Sequence, residues 1–489
     1  MFNKLLNKIK KEKSFSFIPE LLEEFSAGEI YLVGGIIRDE LLNRESKDFD
    51  FVVRNIDPDK LNKFLDKRGW VGLVGRNFGV FKFKPQYSKY KQPFDIALPR
   101  TEISTGAAYT DFNVQSDPKL SISDDLSRRD FTINAMAIDI NKRVLIDPFN
   151  GVTDIEKKII KTVGRPQERF SEDYSRILRA IRFSSQLDFE ISIMTWKQIK
   201  KLASKIITRR EIKGRMSPII PFEIISKEFE KSFLADPVKS YALYDLSGIF
   251  KILIPEIEAM KNVKQPEEFH KEGDVFEHIG ICLDNIPKGS SIELILGLLF
   301  HDIGKPATIK TPAKDGVDRI RFDEHTDVGA EITEKICKRL KFSKDLTDHV
   351  VWLVRNHMLF VSGKVEDMRT ATIKKYFIDD PKRGDNLLEL YRIDVLSSQN
   401  KYQKENLKRY QDVKKYIEDT RQAFKESHVD TFRHLISGED VMKEYDINPG
   451  PEVGKILVKA DEYIFKFISK NKKEPEKLKI FNYLKSLKI

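Results

Sequence analysis

The order of local patterns along the chain limits what it can fold into. Up to about residue 150, short strand-like runs alternate with short helix-like runs, and long helical patterns follow from residue 151 onward. The strand-like runs are EIYLVGG (29–35), KDFDFVV (47–53), GVFKFKP (79–85) and QPFDIAL (92–98). Such short runs, either continuously apolar or alternating apolar with polar residues, are typical of strands. The sequence therefore predicts an α/β head followed by all-α domains.

The chain is long enough for several domains, because 489 residues at roughly 150 residues per domain predict about three. The polar segment KNVKQPEEFHKEGD (261–274) contains proline and glycine and indicates a boundary. The predicted parts are a head (1–150), a helical neck and body (151–262), a second helical domain (263–400) and a Lys-rich helical tail (401–489). Within the head, the polar region 100–127 lacks periodicity and predicts a loop.

Several classes of protein are excluded by simple features. No apolar stretch is long enough to span a membrane, and the basic first 13 residues lack the apolar core of a signal peptide. The two cysteines, Cys282 and Cys337, cannot form a disulfide framework. We therefore expect a soluble, cytoplasmic protein. Its net charge of +10 favours a polyanionic partner without identifying one.

The first group of candidate functional residues is a pair of aspartates. Asp48 and Asp50 flank Phe49, and side chains two residues apart on a strand share one face. Converging carboxylates are what Mg²⁺ binds, and metals held this way can activate a hydroxyl and bind a leaving pyrophosphate. Since D-x-D also occurs on ordinary polar strand edges, the pair alone is weak evidence. Asp95, between Phe94 and Ile96 on a neighbouring predicted strand, offers a third carboxylate.

A glycine pair precedes the aspartates. Gly34 and Gly35 stand at a predicted strand-to-helix turn, where backbone N–H groups can approach a triphosphate and the helix N-terminus adds partial positive charge. Arg38, in the first turn of that helix, can reach the same phosphates. The residues thus predict a nucleotide site beside a metal site.

The motifs stand in an order that resembles the class II tRNA nucleotidyltransferase and poly(A) polymerase family. They are VGGIIRDELL (33–42) with DFDFVV (48–53), GRNFGVFKF (75–83), RTE (100–102), DDLSRRDFTINAMA (124–137), DPFNG (147–151) and EDYSRILRAIRF (172–183). The resemblance implies a nucleotidyltransferase-type mixed sheet with helices, followed by a helical neck and body. It also implies that Asp48 and Asp50 bind Mg²⁺, with Asp95 as the third carboxylate. Gly34, Gly35, Arg38 and Arg129 would hold the incoming nucleotide.

A third motif, EDYSRILRAIRF, predicts a helix with Glu172 and Asp173 in its first turn. Asp173, Arg176 and Arg179 recur every three residues and share one face. A carboxylate beside a guanidinium can pair with cytosine or adenine, which present an amine beside an unprotonated ring nitrogen, and would mismatch uracil and guanine. In the family this role belongs to the residues matching Asp173 and Arg176, and Arg179 would be a further nucleotide contact. The alternative is an intrahelical ion pair on a solvated face.

The family resemblance leaves three transferase activities open. Gly79 favours a CCA-adding enzyme over a poly(A) polymerase, and the segment 100–123 resembles the flexible segment with which CCA-adding enzymes switch from C to A. We therefore expect addition of C, C and A to the tRNA 3′ end from CTP and ATP, with A-only addition as the alternative. The predicted reaction is attack of the tRNA 3′-hydroxyl on the α-phosphate of CTP or ATP, with release of pyrophosphate.

A separate set of histidines and aspartates follows. The segment HDIGKPAT (301–308), with His278 before it and Asp394 after it, resembles HD phosphohydrolase domains. The resemblance implies four metal ligands, His278, His301, Asp302 and Asp394, for an ion such as Mn²⁺, Co²⁺ or Ni²⁺. His325 and His357 would bind a second metal or a phosphate, and His349 would be structural. Three alternatives stay open here: an HD fold without activity, an enzyme acting mainly by hydrolysis, and a non-catalytic RNA-binding protein.

Overall fold

The computed structural model describes residues 2–74, 79–104, 112–212, 214–361, 370–426 and 435–487. The chain divides into two compact units, an N-terminal unit (Met1–Leu253) and a C-terminal unit (Ile254–Ile489). The finer domain limits stay a prediction.

The strands are β1 (Glu29–Val33), β2 (Asp50–Arg54), β3 (Gly69–Val74), β4 (Val80–Pro85), β5 (Phe94–Ala97), β6 (Arg100–Ser104), β7 (Phe112–Ser116), β8 (Ala137–Asp139), β9 (Val144–Ile146), β10 (Ile159–Ile160), β11 (Glu190–Ile191), β12 (Arg209–Ile212), β13 (Arg215–Pro218), β14 (Ile309–Lys310) and β15 (Arg321–Phe322).

The helices of the N-terminal unit are α1 (Asn3–Lys11), α2 (Phe17–Glu24), α3 (Gly35–Leu41), α4 (Pro58–Asp66), α5 (Ile122–Ser127), α6 (Gly151–Glu156), α7 (Pro166–Glu172), α8 (Ser175–Leu187), α9 (Ile193–Leu202), α10 (Phe222–Ala235), α11 (Pro237–Leu246) and α12 (Ile249–Leu253). Those of the C-terminal unit are α13 (Pro255–Glu258), α14 (Val275–Asp284), α15 (Ile292–Phe300), α16 (Lys305–Thr308), α17 (Pro312–Asp315), α18 (His325–Leu340), α19 (Lys344–Asn356), α20 (Thr370–Ile373), α21 (Pro381–Ser397), α22 (Gln403–Glu426), α23 (Gly438–Tyr445), α24 (Pro451–Asn471) and α25 (Lys477–Ser486). Short 3₁₀ turns lie at Lys13–Phe15, Thr132–Asn134, Ala203–Ile207 and His357–Phe360, and a π-helical turn lies at Lys374–Ile378.

A mixed seven-stranded sheet forms the centre of the N-terminal unit, in the order β3-β4-β5-β2-β1-β8-β9. Strands β2 and β5 run parallel, and the other neighbours run antiparallel. This sheet, with helices around it and mainly helical chain after it, confirms the predicted fold class.

Successive side chains along β2 point to opposite faces of the sheet. Phe49, just before the strand, and Phe51 pack into an aromatic cluster in which Phe15 lies 4.8 Å from Phe49 and 5.1 Å from Phe94 between ring centroids. Val52 points to the other face, where it joins an aliphatic core that includes Leu126 of α5. Because side chains two apart share a face, Asp50 is directed to the Val52 side of the sheet.

The prediction of a loop over residues 100–127 is wrong. Strands β6 and β7 pair antiparallel as a separate two-stranded ribbon, and α5 follows, begun by Ser121, whose hydroxyl accepts from the Asp124 amide at 3.1 Å. The backbone hydrogen bonds of this ribbon join two separate segments, and neither segment carries an apolar period in the sequence. The predicted helical region after residue 151 likewise contains the short ribbon of β12 and β13.

The C-terminal unit is helical, as predicted for the HD domain and the tail. Helix α15 packs against α14, α19 and α21, and α18 packs along α19. No helix among the residues that the structure describes is long and apolar enough to cross a membrane.

One close backbone approach fixes the start of α18 against α16. A Cβ on Gly304 would lie 2.2 Å from the His325 carbonyl oxygen and 2.7 Å from the Gly329 amide nitrogen. Only a residue without a side chain fits there, so Gly304 keeps the HDIGKPAT segment in contact with His325.

We expect Gly304→Ala to lower the free energy of unfolding by about 1–3 kcal/mol, because the added methyl group must push two backbones apart. Gly454→Ala is the matched control. Gly454 lies within α24 with no atom near its Cβ position, so alanine there should raise stability by about 0.5–1 kcal/mol. Urea unfolding followed by circular dichroism measures both, and a Gly304→Ala protein as stable as the parent would contradict the close-packing argument.

Candidate functional sites

A cavity of about 510 Å³ in the N-terminal unit brings the predicted head residues together. Its lining is dominated by arginine and aspartate: Gly34, Gly35, Arg38, Asp48, Asp50, Arg100, Arg128, Arg129, Asp130, Asn134, Asp173, Ser175, Arg176, Arg179, Arg182, Phe183 and Gln186. Every residue predicted for the nucleotide site is in this set. Of the predicted catalytic carboxylates, Asp48 and Asp50 line the cavity, and Asp95 lies next to it on β5.

The three carboxylates lie close enough to repel one another. Strand β2 begins at Asp50, so Asp48 stands in the extended segment before it, and Asp50 is opposite Asp95 in the parallel β2–β5 pairing. Burial and the charges of Asp48 and Asp95 together raise the pKa of Asp50 to about 7. Lys82 of β4 donates to Asp95 at 2.7 Å. These carboxylates repel one another when all are ionised, and a divalent cation that binds oxygen ligands would relieve the repulsion.

Gly34 joins this carboxylate cluster to the arginines. Its φ of +84° favours glycine, and a Cβ there would lie 3.3 Å from Arg129 Nη1 and 3.4 Å from Asp50 Oδ2. The turn after β1 therefore lets a guanidinium and a carboxylate both approach the backbone. Arg129 is half-buried, and its Nη1 donates to the Asn134 carbonyl at 3.3 Å.

Arg38 is held in place by three neighbours. Its Nη1 donates to Asn134 Oδ1 at 2.6 Å, its Nε donates to Asp39 Oδ1 at 2.9 Å, and its guanidinium lies 5.3 Å from the centroid of Phe183. The guanidinium of Arg182 lies 3.9 Å from the same ring. Phe183 thus supports more than one cation at the cavity wall, a role that sequence reasoning missed because an aromatic residue in a helix usually indicates core packing.

The segment around Asp173 differs from the predicted single helix. Helix α7 ends at Glu172 and α8 begins at Ser175, so Glu172 and Asp173 are not in the first turn of one helix. Asp173 adopts an extended conformation, and its Oδ1 accepts from the Ser175 amide at 2.8 Å, which satisfies a free amide at the start of α8. Arg176 donates to Glu172 Oε2 at 2.7 Å across this break.

Arg179 points to a further residue, Asp130, that the sequence analysis did not assign. Arg179 Nε donates to Asp130 Oδ2 at 2.8 Å, and the Asn134 amide also reaches Asp130 at 3.3 Å. Although burial opposes it, the charge of Arg179 lowers the pKa of Asp130 to about 2. Asp130 therefore keeps its negative charge at neutral pH and fixes Arg179 at the cavity. Its place next to Arg129 in the RRD sequence was the available signal.

The motif that contains Gly79 lies partly outside the described residues, which omit 75–78. Gly79 itself has a φ of +55°, and a Cβ there would lie 2.7 Å from Ser116 Oγ.

In the C-terminal unit, the predicted histidines and aspartates form two groups. We call His278, Cys282, His301 and Asp394 the first cluster, and Asp302, His325 and His357 the second cluster. Within each cluster, one candidate ligand atom from every residue lies within 4.8 Å of the others. The six histidines and aspartates predicted for the HD site are all present, spread over the ends or faces of five helical segments. His349 lies apart from the clusters and contacts the Asn386 amide at 3.2 Å.

Three of these imidazoles are oriented in the same way. Nδ1 of His301, His325 and His357 lies 2.8, 2.8 and 2.7 Å from the backbone carbonyls of Leu298, Phe322 and Val354, respectively. Since a carbonyl only accepts, each Nδ1 carries a proton, and in the neutral imidazole the Nε2 presents a lone pair. The Nε2 atoms of His325 and His357 lie 3.2 Å apart. Lone pairs that face one another fit a cation between them.

The first cluster has a similar support. Glu272 Oε1 accepts from His278 Nδ1 at 2.8 Å, which turns His278 Nε2 toward Asp394 Oδ1 at 3.1 Å. His301 Nε2 is buried, has no hydrogen-bond partner among the described residues, and lies 3.3 Å from Asp302. Against the effect of burial, the Asp302 charge raises the pKa of His301 to about 9, whereas burial lowers that of His357 to about 3.

Two further residues of this site were missed by sequence reasoning. Cys282 Sγ lies 3.4 Å from His278 Nε2, and the four-residue spacing on a helix was the signal that could have found it. Lys305 Nζ lies 2.6 Å from Asp302 Oδ2 and donates to Gln265 at 2.8 Å.

Comparison with known families agrees with this division. Residues 30–161 match the family described as the poly A polymerase head domain, and residues 275–414 match the HD domain. Both domain types imply dependence on divalent metals, in keeping with the carboxylate and histidine clusters.

Solved structures with the same fold include two CCA-adding enzymes. That of Bacillus stearothermophilus in complex with CTP has a TM-score of 0.63 and 20% identity, with 100% of this chain and 97% of that chain covered. That of Thermotoga maritima complexed with tRNA has a TM-score of 0.57 and 20% identity, with 99% and 96% covered.

Curated relatives are closer in sequence. The multifunctional CCA protein of Stenotrophomonas maltophilia (strain K279a) is 32% identical over 352 residues, which are 71% of this chain and 79% of that protein. The protein of the same name from Alkalilimnicola ehrlichii is 30% identical, over 71% and 78%. With 30–32% identity over more than two thirds of each chain, the chain belongs to the multifunctional CCA protein family.

Proposed function

We propose that the N-terminal unit adds C, C and A to the 3′ end of tRNA, using CTP and ATP without a nucleic-acid template. The observation that carries this proposal is one cavity lined both by the carboxylates Asp48 and Asp50 and by the base-selecting candidates Asp173 and Arg176. The names of the relatives, and the CTP and tRNA bound in the similar structures, support the same reaction. Such a substrate implies a cytoplasmic location.

Asp48 and Asp50 would hold Mg²⁺, with Asp95 adding negative charge beside them. The bound metal supplies activation of the tRNA 3′-hydroxyl and charge neutralisation at the leaving pyrophosphate. The protein's own contribution is position and fixed charge. Gly34 leaves room for phosphate oxygens near the backbone, and Arg38 and Arg129 are held in orientations that complement a triphosphate.

Base selection would rest on Asp173 and Arg176. Asp173 is fixed by the Ser175 amide and Arg176 by Glu172, so both side chains are ordered before a nucleotide arrives. Ordered polar groups can reject a wrong base because its hydrogen-bonding groups would be left unpaired against them. Arg179, fixed by Asp130, would be a further nucleotide contact. We propose that this selection belongs to a neck and body over residues 151–262, following a head over 1–150.

For the C-terminal unit we infer a metal-dependent phosphohydrolase that acts on RNA 3′ ends. Two buried clusters of lone-pair donors support it, in a domain that we place at 263–400, before a helical tail at 401–489. His278, His301, Asp302 and Asp394 would hold a transition metal such as Mn²⁺, Co²⁺ or Ni²⁺, and His325 and His357 a second ion or a phosphate.

The carboxylate assignment predicts the behaviour of two variants. Asp48→Ala and Asp50→Ala should each abolish tRNA extension while tRNA binding stays within about twofold, because the carboxylates hold metal and contribute little to RNA affinity. Asp66→Ala, at an exposed position of α4, is the matched control and should extend normally. Extension of a tRNA ending before CCA is followed on gels, and binding by filter retention. Normal extension by Asp50→Ala would refute the assignment.

The base-selection proposal predicts a change in specificity. Asp173→Asn can still accept from the Ser175 amide, so α8 should stay formed, but its amide group would donate where cytosine and adenine also donate. We expect discrimination of CTP against UTP to fall by about 10–100-fold. Single-nucleotide incorporation rates measure this ratio, with Glu168→Gln on exposed α7 as control. An unchanged ratio would mean that another residue selects the base.

The hydrolase proposal predicts a result that depends on His301. His301→Ala should lose hydrolysis of a 2′,3′-cyclic phosphate in the presence of Mn²⁺, Co²⁺ or Ni²⁺, because it removes a buried ligand atom. His349→Gln, a change at a buried histidine outside both clusters, should keep that activity. Thermal unfolding checks that both variants are folded. If the parent protein hydrolyses no such substrate with any of the three metals, this proposal fails.

A further inference from the structure

We propose that Cys282 of the first cluster is a further protein ligand beside the histidines and aspartates already assigned to the metal, and makes this centre bind borderline-soft divalent metals, such as Zn²⁺ and Co²⁺, more tightly than Mg²⁺ and Mn²⁺. The proposal rests on the inferred metal dependence of the C-terminal unit and specifies the metal. It adds a sulfur ligand to a set that the sequence predicts as histidine and aspartate alone.

The position of Cys282 on its helix brings the thiol to the cluster. His278 and Cys282 are four residues apart on α14 and therefore lie on the same face. Sγ lies 3.4 Å from His278 Nε2. Two ligands of one tetrahedral metal, at bond lengths of about 2.3 Å for sulfur and 2.1 Å for nitrogen, are separated by roughly 3.6 Å. The observed 3.4 Å is close to this separation, so both atoms can bind one ion with little movement.

The remaining members of the cluster point to the same place. Asp394 Oδ1 lies 3.1 Å from His278 Nε2 and 3.9 Å from His301 Nε2. His301 is fully buried, its Nδ1 is occupied by the Leu298 carbonyl, and its Nε2 has no hydrogen-bond partner among the described residues. This buried ring nitrogen lies beside a thiol and a carboxylate, where the neutral imidazole is placed to bind a metal.

The character of these ligands decides which metals they favour. Mg²⁺ and Mn²⁺ are best served by carboxylate, carbonyl and water oxygens, whereas thiolate with imidazole favours softer ions. With Asp302, this site offers two imidazole nitrogens, one thiolate and two carboxylates, a mixed set suited to Zn²⁺ or Co²⁺ in four- or five-fold coordination. Binding would release the thiol proton to solvent, since the thiolate is the ligand.

The chain supplies its own control, because it has two cysteines in all. Cys337, on α18, is buried as fully as Cys282 but belongs to neither cluster. Burial raises the pKa of its thiol to about 12, which makes it a poor metal ligand. Cys337→Ser therefore tests for unspecific effects of replacing a buried thiol.

The experiment is a Co²⁺ titration of the metal-free full-length protein, followed by absorption spectroscopy. A thiolate bound to Co²⁺ gives a charge-transfer band in the near ultraviolet, which imidazole and carboxylate do not. We expect this band in the parent protein and in Cys337→Ser, and we expect Cys282→Ser to bind Co²⁺ without it. Competition of Zn²⁺ with bound Co²⁺ measures the affinity of each protein for Zn²⁺. We expect this affinity to be about tenfold or more lower in Cys282→Ser than in the parent protein. The affinity for Mn²⁺ should be the same in both. Circular dichroism verifies that each variant is folded.

The outcomes separate this inference from the function on which it rests. Co²⁺ binding that His301→Ala abolishes, but without a thiolate band in the parent protein, would overturn the role of Cys282 and leave the metal-dependent hydrolase intact. A band that persists in Cys282→Ser would do the same. Failure of the parent protein to bind Co²⁺, Zn²⁺ or Mn²⁺ at all would overturn both.

Discussion

Charge compensation inside one cavity is the constraint on which the N-terminal unit depends. Seven arginines and four aspartates line a space of about 510 Å³, and several of them are buried. Buried charges are tolerated only when they are paired or hydrogen-bonded. Arg179 has Asp130, and Arg38 has Asn134 and Asp39. The carboxylate of Asp50 is the exception, because the largest charge effects on its pKa come from two other carboxylates, Asp48 and Asp95.

That imbalance gives the cavity its chemistry. One end carries surplus negative charge where a divalent cation fits, and the other end carries guanidiniums that complement phosphate. The turn after β1 joins the two ends, because glycine at position 34 leaves space for both Asp50 and Arg129. The proposed nucleoside triphosphate with its metal would neutralise both groups of charges together.

The sequence predicted those parts of the fold and site that follow from local alternation and spacing. The two-residue period of KDFDFVV predicted that Asp48 and Asp50 share one face, and in the structure both line the cavity while Phe49 and Phe51 join an aromatic cluster. It could not predict the ribbon of β6 and β7, because that ribbon forms by pairing between two separate segments. It also could not predict the break between α7 and α8, where the Asp173 side chain accepts from the Ser175 amide. Partners distant in sequence, such as Asp130 for Arg179, required the structure.

The C-terminal site illustrates the same limit. Its histidines and aspartates could be found by motif, but their division into two clusters depends on how five helical segments pack. Cys282 was overlooked because a buried cysteine in a helix usually indicates core packing. The structure places its sulfur 3.4 Å from His278 Nε2, among the atoms of the first cluster.

The most direct test of the central claim is gel-resolved extension of one tRNA by the full-length protein. The tRNA is prepared with its CCA end absent, lacking only the final A, or complete, and CTP and ATP are given singly and together with Mg²⁺. The account predicts addition of two C residues and one A to the first tRNA, one A to the second, and none to the third. Extension of the second tRNA alone would contradict it and would identify an A-adding enzyme.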